Sequence, residues 1–337
     1  MKLNMKSCAL IAALLLLADR GLTGCTAAQA ADLSPVPALY SPAPTAGESF
    51  SDNTVGGHAI TADGETAFYS NITVTKTGSV EGNEADFYGE NAAVLAENGA
   101  ELTLREISVM TDGKHANAVF SYGEDSVVSI ADSTIVTNGD CSGGLMTTGG
   151  GTMNANNVVV HTSGRSSAAI RSDRGGGTVT VTGGTYDTAG VGSPAIYSTA
   201  DITVTDAELS TTASQGVVVE GKNSVTLENV ALTAANTQKN SGKSPWYQAV
   251  MLYQSMSGDA DEGEASFTMR GGSITNLNGS QVAALQRSIL ITQTTSRHNL
   301  TSLQSLRVTC ISNNLLAPDT IILLSEVEFV DNLLLKE

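Results

Sequence analysis

With 337 residues and a net charge of −17, from 34 acidic against 17 basic residues, the chain could hold two ordinary domains. It lacks the basic balance of a nucleic-acid binder, so that partner is excluded. Aromatic residues make up 4% and glycine numbers 34, a profile of short strands and frequent turns rather than long helices.

The N-terminus reads as an export signal. Lys2 and Lys6 precede an apolar run over residues 8–18. That run is too short to span a bilayer, which takes about 20 apolar residues, and it fits the hydrophobic segment of a secretory signal. Leu22-Thr23-Gly24-Cys25 follows and resembles the lipobox of bacterial lipoproteins. The resemblance implies that residues 1–24 are removed and that the Cys25 thiol carries a diacylglycerol holding the protein to a membrane. Asp19 and Arg20 depart from the pattern, because charges are costly to insert there. An ordinary secretory signal cut near Ala28 or Ala31 is the other reading. Residues 25–48 hold Pro35, Pro37, Pro42 and Pro44 and read as a flexible, extended linker.

Residues 49–279 repeat. A short apolar strand recurs at Val94, Val119, Leu145, Ile170, Ile196, Val218 and Met251, at spacings of 25, 26, 25, 26, 22 and 33 residues. A second, alternating strand follows each marker, as at Leu102/Leu104, Val128/Ile130, Met153/Ala155 and Val179/Val181, continuing to Phe267/Met269. A third carries Val109, Ile135, Val160, Tyr186, Leu209, Leu232 and Ile274. A unit of this size cannot bury its apolar face alone; stacking equivalent strands gives three parallel sheets around a narrow core. The predicted fold is all-β, a right-handed parallel β-helix of about seven or more coils, with a β-sandwich of evenly spaced strands as the competing architecture. Asn138-Gly139 and Gly175-Gly176-Gly177 mark turns where positive φ is tolerated.

Over residues 50–279, the segments SPAIYSTADITVTDA, EGKNSVTLENV and MLYQSMSGDADEG are similar to adhesin-like, carbohydrate-binding β-helix lipoproteins of gut bacteria. The resemblance implies a surface-exposed protein with a polysaccharide or surface-glycan partner.

Residues 280–337 break the pattern. They contain no glycine, and they hold 12 leucines against 11 in residues 26–279. Two origins fit: a stretch read out of frame, or a cap over the open end of the solenoid.

Site candidates are few. Asp259, Asp261, Glu262 and Glu264 surround Gly263 and offer oxygen ligands to calcium, although a solvated acidic turn explains them equally simply. No other cofactor is indicated. Trp246, the single tryptophan, sits beside Tyr247 in an insertion over residues 236–248, with Tyr253 close by in sequence. They form an aromatic platform for a sugar, or else pack the insertion onto its coil. Arg171, Asp173 and Arg174 read as a surface ion-pair group at a turn. The histidines, His58, His115, His161 and His298, show no ligand spacing, and Cys141 is expected to be unpaired. The functional expectation is a non-catalytic, adhesin-like lipoprotein, outside the cytoplasm at the cell surface, binding carbohydrate or a host or matrix partner. A β-helix polysaccharide lyase or hydrolase is the alternative, and a truncated, inactive copy is another.

Overall fold

The computed structural model describes residues 47–235, 248–253, 263–277, 281–287, 290–293, 299–301, 306–312 and 327–329. They belong to one unit, Tyr40–Glu337, and build a parallel β-helix. Among the described residues each of three sheets has ten strands. The first sheet begins at Ser49–Asp52, the second at Ile60–Asp63 and the third at Thr66–Ser70, and up to the last coil each strand pairs in parallel with its equivalent one coil later. Inward positions of the three sheets form one continuous core of Val, Ile, Leu and Ala, with Tyr186 and Phe267 fully enclosed. The alternation seen in the sequence is therefore the alternation of core and surface.

The corners explain the polar part of the repeat. Between the third and first sheets the chain turns on one residue in the left-handed region: Asn71, Glu106, Asp132, Asn157, Gly183, Asp206 or Asn229. Short polar residues and glycine tolerate that conformation best, which is why Asn, Asp and Gly recur there. Between the first and second sheets a Thr-x-Gly-x-x-Ser corner recurs, as in Thr137–Ser142, Thr162–Ser167 and Thr188–Ser193. Thr137 Oγ1 donates to the Ser142 carbonyl at 2.7 Å, closing the corner within its own coil. The serines then tie coil to coil. Ser167 Oγ donates to the Gly139 carbonyl at 3.0 Å and accepts from the Ser142 N–H at 2.9 Å. Ser193 Oγ repeats this with Gly164 at 2.8 Å and the Ser167 N–H at 2.8 Å.

A buried donor and a part-buried acceptor thus depend on one hydroxyl. Ser167→Ala is expected to cost about 1–3 kcal/mol in denaturant unfolding, because the Ser142 N–H stays buried without a partner and the Gly139 carbonyl loses its own. Ser163→Ala, which removes a hydroxyl bonded to the side chain of Asn138 at an exposed position, should stay within about 0.5 kcal/mol. Equal losses in the two variants would disprove the role of the serine ladder.

One expectation is corrected. Val218 and Met251 are not inward markers; Ile196 aligns with Val217, and Val217 with Val250. Val218 and Met251 pack with Tyr197 on the outer face instead. Val217–Val219 and Ala249–Leu252 are apolar throughout, so alternation cannot fix their register. Within the predicted span of residues 49–279, Ile60 is the equivalent of the first marker, Val94, one coil before and 34 residues upstream, in a coil lengthened by an insertion. That insertion carries a one-turn helix, Glu84–Tyr88.

Beyond residue 279, strand Gln281–Arg287 still pairs in parallel with Gln248–Tyr253. The pairing then reverses. Leu290–Gln293, Asn299–Thr301 and Leu306–Ser312 pair antiparallel with Gln281–Arg287, Ser273–Asn276 and Gly263–Arg270, giving each sheet's last parallel strand a partner.

Candidate functional site

The outer face of the third sheet carries a regular polar column. Phe68, Thr103, Ser129, Asn154 and Thr180 stand in register on consecutive coils. Thr203, Thr226 and Thr268 continue the column. Beside it, Arg105, Ala131, Asn156 and Thr182 form a second column, and between them lies a shallow groove of about 440 Å³. Phe68 is 63% exposed, an aromatic ring held in water at one end of a row of hydroxyls and amides. No Asp or Glu lines this groove. A row spaced by the distance between parallel strands, about 4.8 Å, offers one hydrogen-bonding side chain per coil to an extended ligand.

The outer face of the second sheet is different, because the insertion covers it. Its outward column runs Leu95, Phe120, Met146, Arg171, Tyr197, Val218 and Met251. Leu95, Phe120 and Met146 are buried together with Ala92 from the insertion. The helix is held by the Thr148 hydroxyl, which donates to the Phe87 carbonyl at 2.7 Å, and by an edge-to-face contact of Tyr88 with Tyr122. The Arg174 guanidinium lies 4.3 Å from the Phe87 ring centre.

Under this cover sits a charged cluster that corrects the sequence reading of Arg171. Arg171 is on a strand, Ile170–Ser172, with its side chain 12% exposed, and not in a surface turn. Its Nη2 lies 3.1 Å from Asp86 Oδ2 and 2.8 Å from Asp173 Oδ2. The charge is drawn inward by Asp86, which the helix of the insertion brings over the sheet; the sequence pattern did not place that residue near it. Asn117 Nδ2 donates to Asp86 Oδ1 at 3.2 Å. His115, 3% exposed, sets Nδ1 3.1 Å from Asp86 Oδ2, at ion-pair distance but off the line of a hydrogen bond.

Cys141, a free thiol, completes a convergence: one donor atom each from Asp86, His115 and Cys141 lies within 4.8 Å of the others. His115 and Cys141 occupy equivalent corner positions one coil apart, and both adopt the left-handed region, with φ of 54° and 57°. Of the histidines, His115 thus has a neighbour at the coil period, which no local motif announces. The signal in the sequence was the Thr-x-Gly-x-x-Ser alignment, which stacks His115 on Cys141.

Electrostatics follow the geometry. Burial alone would push the Asp86 carboxyl up, but Arg171, His115 and Asn117 outweigh it and hold it below the ordinary value. For Asp173 burial prevails: with the charge of Asp86 adding to it, the carboxyl rises despite Arg171. Burial also raises the Cys141 thiol, with Asp86 reinforcing and Arg171 opposing the shift. Burial works against the charge of Arg171, yet Asp86 and Asp173 together raise its affinity for the proton.

Of the residues singled out from sequence, Cys25, Trp246, Tyr247, Asp259, Asp261 and Glu262 lie outside the described residues. Tyr253 ends a strand of the second sheet, in register with Glu220, while Glu264 is on a strand of the third. Comparison of the chain with protein-family models, with curated proteins and with solved structures finds no match.

Proposed function

We propose that this protein is a non-catalytic glycan-binding module, an adhesin-like lipoprotein held outside the cytoplasm through Cys25, whose solenoid receives a polysaccharide chain along the third sheet. The observation that carries the reading is the groove beside Thr103, Ser129, Asn154 and Thr180, with the exposed ring of Phe68 at its end. Hydroxyls and amides match the donor and acceptor pattern of sugar hydroxyls, and an exposed aromatic ring supplies an apolar platform with little ordering cost. Hydrolysis would need two carboxylates facing each other across the glycosidic bond. The groove lining supplies neither, so binding is the better reading of it.

The test is native electrophoresis of the full chain through gels cast with different polysaccharides. Retardation by one class of polysaccharide is expected, and Phe68→Ala should weaken it about ten-fold, the size of one interfacial anchor. No retardation in any gel would reject glycan binding, and retention unchanged by Phe68→Ala would remove the third-sheet groove from the site.

A further inference from the structure

We propose that Asp86, His115 and Cys141 form a binding site for a zinc ion at the edge of the covered second sheet, independent of the glycan groove. The donor set chooses the metal class. Calcium and magnesium take oxygen ligands, whereas a mixed set of carboxylate oxygen, imidazole nitrogen and thiolate sulfur suits zinc. The three donors already lie within 4.8 Å of one another. Tetrahedral zinc would hold such donors about 3.5 Å apart; His115 Nδ1 and Asp86 Oδ2 already stand 3.1 Å apart, so any closing falls on the Cys141 thiol. That thiol is partly exposed and free of any disulfide, so rotation about its own side-chain bond can supply the movement.

His115 points independently to a ligand. Its ring is buried, and Nδ1 makes no hydrogen bond although it faces the carboxylate of Asp86. A buried polar atom left in this way is costly; a metal at that point would satisfy it. Asp86 can take a metal without releasing its partners, since a carboxylate accepts at about four positions and two are engaged by Asn117 and Arg171.

Charge favours the same ion: the carboxylates of Asp86 and Asp173 both face the one guanidinium of Arg171, so acidic groups outnumber the arginine here. Zinc entry displaces the Cys141 thiol proton to solvent and adds a thiolate. Three protein donors leave the fourth zinc position for water, at the partly exposed side where Cys141 lies.

Full-length protein, reduced and freed of chelator, is titrated with Co²⁺ alone and then with Zn²⁺. The expected result is a near-ultraviolet thiolate-to-cobalt band that zinc abolishes on displacing the cobalt. Cys141→Ser, which retains Cys8, Cys25 and Cys310, loses the band, and His115→Gln binds zinc at least about ten-fold more weakly. A wild-type readout guards against misfolding of these variants: Zn²⁺ should slow alkylation of Cys141 selectively, mapped by peptide mass spectrometry. Absence of the band in the wild type, its survival in Cys141→Ser, or alkylation of Cys141 indifferent to zinc would each overturn the site.

Discussion

Replacing Arg171 by Met is expected to lower the unfolding free energy by about 3–5 kcal/mol, the cost of leaving buried charges without their partner. Asp86 and Asp173 both lean on this one guanidinium, and their side chains are only 5% and 16% exposed. Methionine fills the stem volume next to Met146, so lost packing contributes little and the electrostatic loss dominates. The triple variant Arg171→Met, Asp86→Asn, Asp173→Asn separates these effects. It removes the stranded charges together with the cation and should recover most of the loss, since neutral replacement of a buried ion cluster is often close to neutral in stability. Because solenoids unfold through neighbouring repeats, hydrogen exchange should localise the damage to the coils beneath the Glu84–Tyr88 helix. A single variant losing less than about 1 kcal/mol would mean that Arg171 has water for company, and the cluster would be a surface feature after all.

The architecture was legible because its signal is periodic and redundant. Leu102/Leu104 through Phe267/Met269 predicted the third sheet in its observed register, since each strand alternates Thr, Ser or Asn with an apolar residue. The second sheet was less legible for a physical reason. It is apolar on both faces wherever an inserted segment or neighbouring side chains cover its outside, so Val218 and Met251 were read one residue out of register. The Asp86–His115–Cys141 cluster escaped because its members belong to an insertion and two corners. Their separation along the chain has meaning only once the coil period stacks Gly113-Lys114-His115 on Gly139-Asp140-Cys141. The exposed ring of Phe68 escaped likewise: it belongs to the coil that precedes the first recognised marker.

The corner glycines lead to the second large effect, and their reason is proximity, not dihedral angle. Gly113, Gly139, Gly164 and Gly190 occupy the same corner on consecutive coils, and none adopts a positive φ. A Cβ on Gly164 would lie 1.9 Å from the Gly139 carbonyl oxygen and 2.9 Å from the Asp140 nitrogen. Both obstacles are backbone of the preceding coil, so no side chain can rotate away. Relief requires parting the two coils just where Ser167 ties them, and both its bonds to the coil below would stretch. Gly164→Ala is therefore expected to cost about 3 kcal/mol or more, at or above the upper end for overpacking, where a flexible neighbour usually absorbs part of the strain. Gly123 is the proper control. It has φ of +88°, yet a Cβ there meets nothing within 4 Å, so Gly123→Ala carries only the backbone penalty of about 1–2 kcal/mol. Thermal and denaturant unfolding of the two variants side by side would decide between the causes. A larger loss at Gly164 identifies coil-to-coil contact as the constraint that keeps glycine at this corner. A larger loss at Gly123 would mean that the coils can move apart readily, and the stacked Thr-x-Gly-x-x-Ser corner could not then be what sets their spacing.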